Sequence, residues 1–130
     1  MANPNITFGV NFPSDVGVDG YWDVPEFARR AEEMGYGRVN MGEHVMDGNP
    51  PRPTLLNLPA IASAAGATKN IRVMTGIVIA PLYNPVILAK MVTSVDRVSG
   101  GRLDFGIGIS GQRGTKIEFD AVGVNVHTRG

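Results

Sequence analysis

The chain has 130 residues, in which 12 Lys and Arg balance 12 Asp and Glu, 43% of residues are hydrophobic and none is cysteine. Balanced charge gives no electrostatic footprint for nucleic acid or an anionic membrane surface, and the lack of cysteine removes disulfides and thiolate metal ligands. The apolar content supports a single domain, residues 1–130. With no basic-then-apolar leader and no membrane-length apolar run, a cytoplasmic location is expected, with no nucleic-acid or membrane partner.

Ile6–Phe12 reads as a short strand closed by Pro13. Ser14–Tyr21 carries the turn residues Asp15, Gly17, Asp19 and Gly20 and reads as a loop. Asp23 and Glu26 then have capping-box spacing: Asp23 accepts from the backbone near Glu26, and Glu26 reaches back. Pro25 falls in the first helical turn, where its missing N–H costs nothing. Phe27, Ala28, Ala31 and Met34 form the inner face of this helix, and Gly35 stops it. Gly37–Met41 is a second short strand, followed by a polar, proline-rich loop.

Leu55–Ala67 predicts an alanine-rich helix that begins near Asn57, because Pro59 belongs in its first turn. Its small side chains allow close approach to a sheet, with Ile61 the one bulky apolar group among them. Ile71–Ala80 is an apolar, β-branched run suited to a strand buried on both faces. Asn84-Pro85 supplies a cap and a first helical position, and Gly100-Gly101 the stop. Between them Val86, Leu88, Met91, Val92, Val95 and Val98 are expected to form one buried stripe. Arg102–Ile109 is a second strand of the doubly buried kind. Beyond it, Ile117–Ala121 suggests one helical turn and Gly123–Val126 a short extended piece. The alternation β-α-β-α-β-α-β predicts a parallel α/β sheet, open or curled into part of a barrel.

Sites in such folds lie at the carboxyl ends of the strands. Four places qualify: Asn11-Phe12, Glu43-His44, the strand from Gly76 to Pro81, and Gly108 to Gly111. His44 is the leading single residue, since an imidazole at a strand end exchanges protons near neutral pH. Glu43 is placed to orient or charge it, although neighbouring strand residues point to opposite faces. His127 lies in a polar tail and is read as a solvated side chain. Gly106-Ile-Gly-Ile-Ser-Gly111 fits G-x-G-x-x-G formally, but its first two glycines fall inside the predicted strand, and Gln112 does not open a helix. Bare positions at Gly106 and Gly108 admit either a flat ligand or a closely packed neighbour. Gly76, inside a buried strand, marks a bulge or an unusual peptide. Arg97, Arg102, Arg113 and Lys116 are scattered charges, suited to helix ends and ion pairs more than to a phosphate site. No metal site is expected.

The segments RVNMGEHV, TGIVIAPLYNPVILAKMVTSVDRVSGGRLDFGIGISG and EFDAVGVNVHTRG, in this order, closely resemble the luciferase-like monooxygenases, which include bacterial luciferase and the deazaflavin (F420)-dependent oxidoreductases. The run Asp96, Arg97, Ser99, Gly101, Arg102 is the most specific part. The resemblance implies an α/β fold, the N-terminal half of a (β/α)8 TIM barrel with about four parallel strands and three helices. Such a half is either completed by self-association, as a homo-oligomer, or part of a longer chain. It further implies F420 or FMN as cofactor, F420 being preferred, a small-molecule substrate, and a flavin or F420 reductase as partner. His44 matches the family's proton-handling histidine. Gly76 and Ile77 match a non-prolyl cis peptide beneath the ring, and Gly108, Ile109 and Ser110 match the fourth-strand end lining the ring pocket. Asn11, Phe12 and Glu43 are candidates for the substrate pocket. The alternative is a non-catalytic, self-associating half-barrel with unused site residues; a nucleotide-binding Rossmann module, resting on GIGISG alone, requires strand order to reverse at the first strand.

Overall fold

A computed structural model describes residues 6–12, 23–46, 48, 50–51, 53–111 and 116–129. The expected loop at Ser14–Tyr21, Gln112 and Arg113 lie outside them. Four strands, β1 (Gly9–Phe12), β2 (Arg38–Met41), β3 (Arg72–Ile79) and β4 (Leu103–Gly108), alternate with α1 (Val24–Glu33), α2 (Asn57–Ala67) and α3 (Pro85–Ser99). A short α4 (Lys116–Ala121) follows β4. All neighbouring strands are parallel and lie in the order β1-β2-β3-β4. Because strand order follows chain order without reversal, the Rossmann reading is overturned. This is the N-terminal half of a (β/α)8 barrel.

The helices begin and end where their caps dictate. Asp23 Oδ1 accepts from the Glu26 N–H at 2.9 Å, while the Glu26 carboxylate pairs with Arg29 instead of reaching back. Asn84 Oδ1 accepts from the N–H groups of Val86 and Ile87, and Gly100 closes α3 at φ +71°. One face of the sheet carries Phe12, Val39, Met41, Val73 and Val78 into a core shared with Ala28, Ala31, Ile61, Ala64, Leu88 and Val95. The other face is polar: Arg72 holds Asp104 with Nε and Nη2, and Arg38 lies beside the same carboxylate.

Four expectations about burial and backbone are corrected. Met34 is 73% exposed because it is the cap residue of α1, past the last packed turn. Val86 and Val98 are also exposed: at 100° per residue Val86 lies opposite the stripe formed by Leu88, Met91, Val92 and Val95, whereas Val98 lies at its edge, in the last turn of α3. Strand β4 has no fully buried residue: Leu103 packs against the core that α3 shares, while Phe105 and Ile107, further along the same face, are exposed. In place of an extended piece, residues 123–128 form a turn at Gly123 and a 3₁₀ turn at Val126–Thr128.

Candidate functional site

The carboxyl ends of β2, β3 and β4 surround a depression of about 240 Å³, lined by Gly42, Glu43, His44, Gly76, Ile77, Ile79, Ser110 and Gly111. Its floor comes from an irregularity in β3. Thr75 pairs with Phe105 and Val78 with Ile107, so that Gly76 and Ile77 together oppose Gly106, and the Gly76–Ile77 peptide is cis. The glycines are dictated by close neighbours. A Cβ on Gly76 would lie 2.2 Å from Asn40 Oδ1, one on Gly106 2.2 Å from the Thr75 carbonyl oxygen, and one on Gly108 2.2 Å from Ile77 Cδ1. Gly106 and Gly108 thus make room for the adjacent strand, not for a helix. Ser110, at φ +60°, takes a left-handed turn that side chains disfavour by roughly 1–2 kcal/mol.

The loop after β2 is held by two carboxylates facing different ways. Glu43 is buried; its Oε2 accepts from the Ile79 N–H at 2.9 Å and its Oε1 from the Tyr83 hydroxyl at 2.6 Å. Burial pushes the Glu43 carboxyl above its usual range, and the negative charge of Glu118 adds to this, against the pull of its donors. Burial and the neighbouring Glu43 raise the Tyr83 phenol as well, keeping it a donor. His44 does not pair with Glu43. Its Nδ1 lies 3.0 Å from Oε1 of Glu118 on α4, and the Met46 N–H donates to that same oxygen at 3.2 Å. The Thr54 hydroxyl holds the His44 carbonyl. Phe119, packed with Ile79 and Leu82, anchors α4 against the site.

Of the residues singled out from sequence, Glu43, His44, Gly76, Ile77 and Ser110 converge here. Gly108 sits under Ile77, whereas Ile109 is exposed and does not line the depression. Asn11 connects through Asn40, whose Nδ2 donates to its Oδ1 at 2.7 Å. Phe12 is not brought to the site: it is buried in the core, edge-on to Phe27 at 4.8 Å between ring centroids. Sequence reasoning missed Glu118, Asn40 and Asn57. Asn57 is fully buried and donates to the Ile77 carbonyl, the oxygen next to the cis peptide. The one available signal was Glu118 lying within the apolar turn Ile117–Ala121.

A flat ring fits what is present. Gly42, Gly76 and Gly111 leave bare backbone around the depression, and a Cβ added at Gly111 would meet nothing within 4 Å. No Lys or Arg stands among the described residues lining it, and its volume is below the roughly 300–1,000 Å³ of complete ligand pockets. Its glycine-lined floor suits the ring end of a flavin-sized cofactor. Arg102 is no phosphate ligand, since its guanidinium donates to Ser99, Ala65, Thr68 and Ile71; Lys116 pairs with Asp120.

The architecture has known counterparts. The profile of the luciferase-like monooxygenases matches residues 6–130. The oxygenase component of the flavin-dependent trigonelline monooxygenase of Acinetobacter baylyi is 36% identical over 88 residues, 67% of this chain and 24% of that protein. An F420-dependent glucose-6-phosphate dehydrogenase of Amycolatopsis mediterranei is 30% identical over 91 residues, 66% of this chain and 26% of that protein. The crystal structure of monooxygenase RslO1 from Streptomyces bottropensis superposes with a TM-score of 0.76 at 27% identity, covering 95% of this chain and 39% of that one. The chain thus spans about a quarter of the length of these curated relatives. With the sequential parallel half-barrel and the glycine-floored strand ends, this establishes that the chain belongs to the luciferase-like monooxygenase family.

Proposed function

We propose that this chain supplies the ring-side half of a flavin or F420 site in an oxidoreductase acting on a small molecule, with His44 as the proton-handling residue. The observation that carries the reading is the His44 imidazole, its side chain 27% exposed, standing at the edge of a glycine-lined floor formed by the Gly76–Ile77 bulge. Gly42, Gly76 and Gly111 would receive the face of the ring, and Ile77 would press on it from β3. The bound cofactor would supply the redox chemistry, either hydride transfer or oxygen insertion. The chain's own residues orient it, and His44 gives or takes a proton at the ring or substrate edge. Relatives named for flavin and for F420 both support the reading, and F420 is the first to try.

A second reading is favoured by one observation: Phe105 and Ile107 leave an apolar strip of β4 uncovered, as a self-associating half-barrel with unused site residues would. Light scattering on the purified chain, with F420 and FMN titrated by fluorescence, separates the two. Quenching by one cofactor, accompanied by loss of turnover in His44→Ala with binding kept, is the expected result. A discrete oligomer that binds neither cofactor would establish the scaffold instead.

A further inference from the structure

We propose that Glu118 is a positioning residue that holds His44 in the tautomer carrying its proton on Nδ1, so that Nε2 is the nitrogen presented to the depression. The role in turnover rests on the site reading above; the tautomer does not. Glu118 is 1% exposed and lies 74 residues from His44 in sequence, so only the fold brings the pair together. Its Oε1 already accepts from the Met46 N–H, which marks that oxygen as an acceptor. His44 Nδ1, 3.0 Å from it, is then satisfied by donating. In the other tautomer a bare Nδ1 lone pair would face the lone pairs of that oxygen and go without a donor. Oε2 of Glu118 is buried without a hydrogen-bond partner among the described residues, so Oε1 carries both bonds.

The consequence is directional. With Nδ1–H tied to Glu118, the neutral ring offers a lone pair at Nε2, and His44 accepts a proton from an acidic N–H or O–H at the ring or substrate edge. The proton then resides on Nε2, and the imidazolium faces the Glu118 carboxylate. The opposite tautomer would present an N–H donor and reverse the role. Glu43 does not compete, being committed to the Ile79 N–H and the Tyr83 hydroxyl.

The test reads the tautomer directly, by ¹⁵N NMR of imidazole-labelled chain at a pH where His44 is neutral, without cofactor. His127→Gln removes the second histidine signal. The expected spectrum has a protonated Nδ1 and an unprotonated Nε2. Glu118→Ala should lose this preference and give a mixed or Nε2–H state. Glu118→Gln, whose carbonyl oxygen still accepts from Met46 and His44, should restore it, and Glu43→Gln should leave it unchanged. An Nε2–H spectrum in the unmodified chain would overturn the proposal even if a variant fails to fold, and so would a spectrum indifferent to Glu118→Ala. If the tautomer is as expected while His44→Ala leaves turnover intact, the positioning stands and the catalytic reading of His44 fails.

Discussion

The two ends of the sheet are built to opposite rules. At the amino ends of β3 and β4, polar groups find partners in abundance. The Arg102 guanidinium donates to Ser99, Ala65, Thr68 and Ile71, and the Ser99 hydroxyl joins the Asp96 carbonyl to the Arg102 N–H. Gly100 and Gly101, both at positive φ, turn the chain between them. Glu32 accepts from the N–H groups of Lys69, Asn70 and Ile71 and straps α1 to β3. At the carboxyl ends, buried oxygens of Asn40, Asn57 and Glu118 lack partners among the described residues. Arg38 Nε, at the start of β2, is likewise buried without a partner among the described residues, so the closed end is that of β3 and β4. There the scaffold separates stability from the function that (β/α) folds place at the strand ends. The run Asp96 to Arg102, on which the sequence resemblance leaned, therefore belongs to the structural end.

The largest effect should come from breaking the closed end. Arg102→Ala removes bonds to three backbone segments and strands their carbonyls. Charge-assisted bonds contribute about 1.5–3 kcal/mol each, and losses in one network overlap, so a destabilisation of about 3 kcal/mol or more is expected. Urea denaturation with far-UV circular dichroism measures it. A loss under about 1 kcal/mol would show that the knot is ornamental.

Gly106→Ala follows, because its Cβ meets a backbone oxygen at 2.2 Å and β3 or β4 must move. Overpacking of this kind costs about 1–3 kcal/mol. A variant as stable as the parent would mean that the strands separate there without cost.

Glu32 gives a smaller effect with a defined pH signature. Burial would raise its carboxyl, but the backbone donors at Ile71, Asn70 and Lys69, with Arg102, outweigh this and hold it below the usual range. A depressed carboxyl stabilises the fold above its unfolded value, about 4.3, and loses that contribution as pH falls through the folded value. Glu32→Gln keeps an acceptor but loses the charge, so it should be about 1 kcal/mol less stable than the parent at neutral pH. The gap should narrow as pH falls below the unfolded value and close only once pH has passed below the lowered folded one, where the parent is itself protonated. A gap that persists in acid would assign the effect to packing.

The same contrast governs what could be read from sequence. Helix boundaries at Asn57, Asn84 and Gly100 were legible because caps and prolines act through neighbours in the chain. The parallel order was legible from alternation. The His44–Glu118 pair was not, because a carboxylate within the apolar turn Ile117–Ala121 does not name a partner 74 residues away, whereas Glu43 lies next to His44 and faces elsewhere. Burial of β4 was also illegible. Apolar composition shows what a strand can bury, and only the packing shows that Phe105 and Ile107 remain uncovered.

The smallest effect on stability should fall on the site itself. A Cβ at Gly108 meets Ile77 Cδ1 at 2.2 Å, the far end of a side chain that can turn aside. Gly108→Ala should therefore cost less than Gly106→Ala, about 1 kcal/mol or under, since a rotamer change replaces a backbone shift. Yet the displaced side chain is Ile77, which lines the depression above the cis peptide. Cofactor affinity, followed by fluorescence quenching, should drop about tenfold or more while the denaturation midpoint hardly moves. The reverse pattern, lost stability with retained binding, would place Gly108 with the structural glycines and detach Ile77 from the ring site.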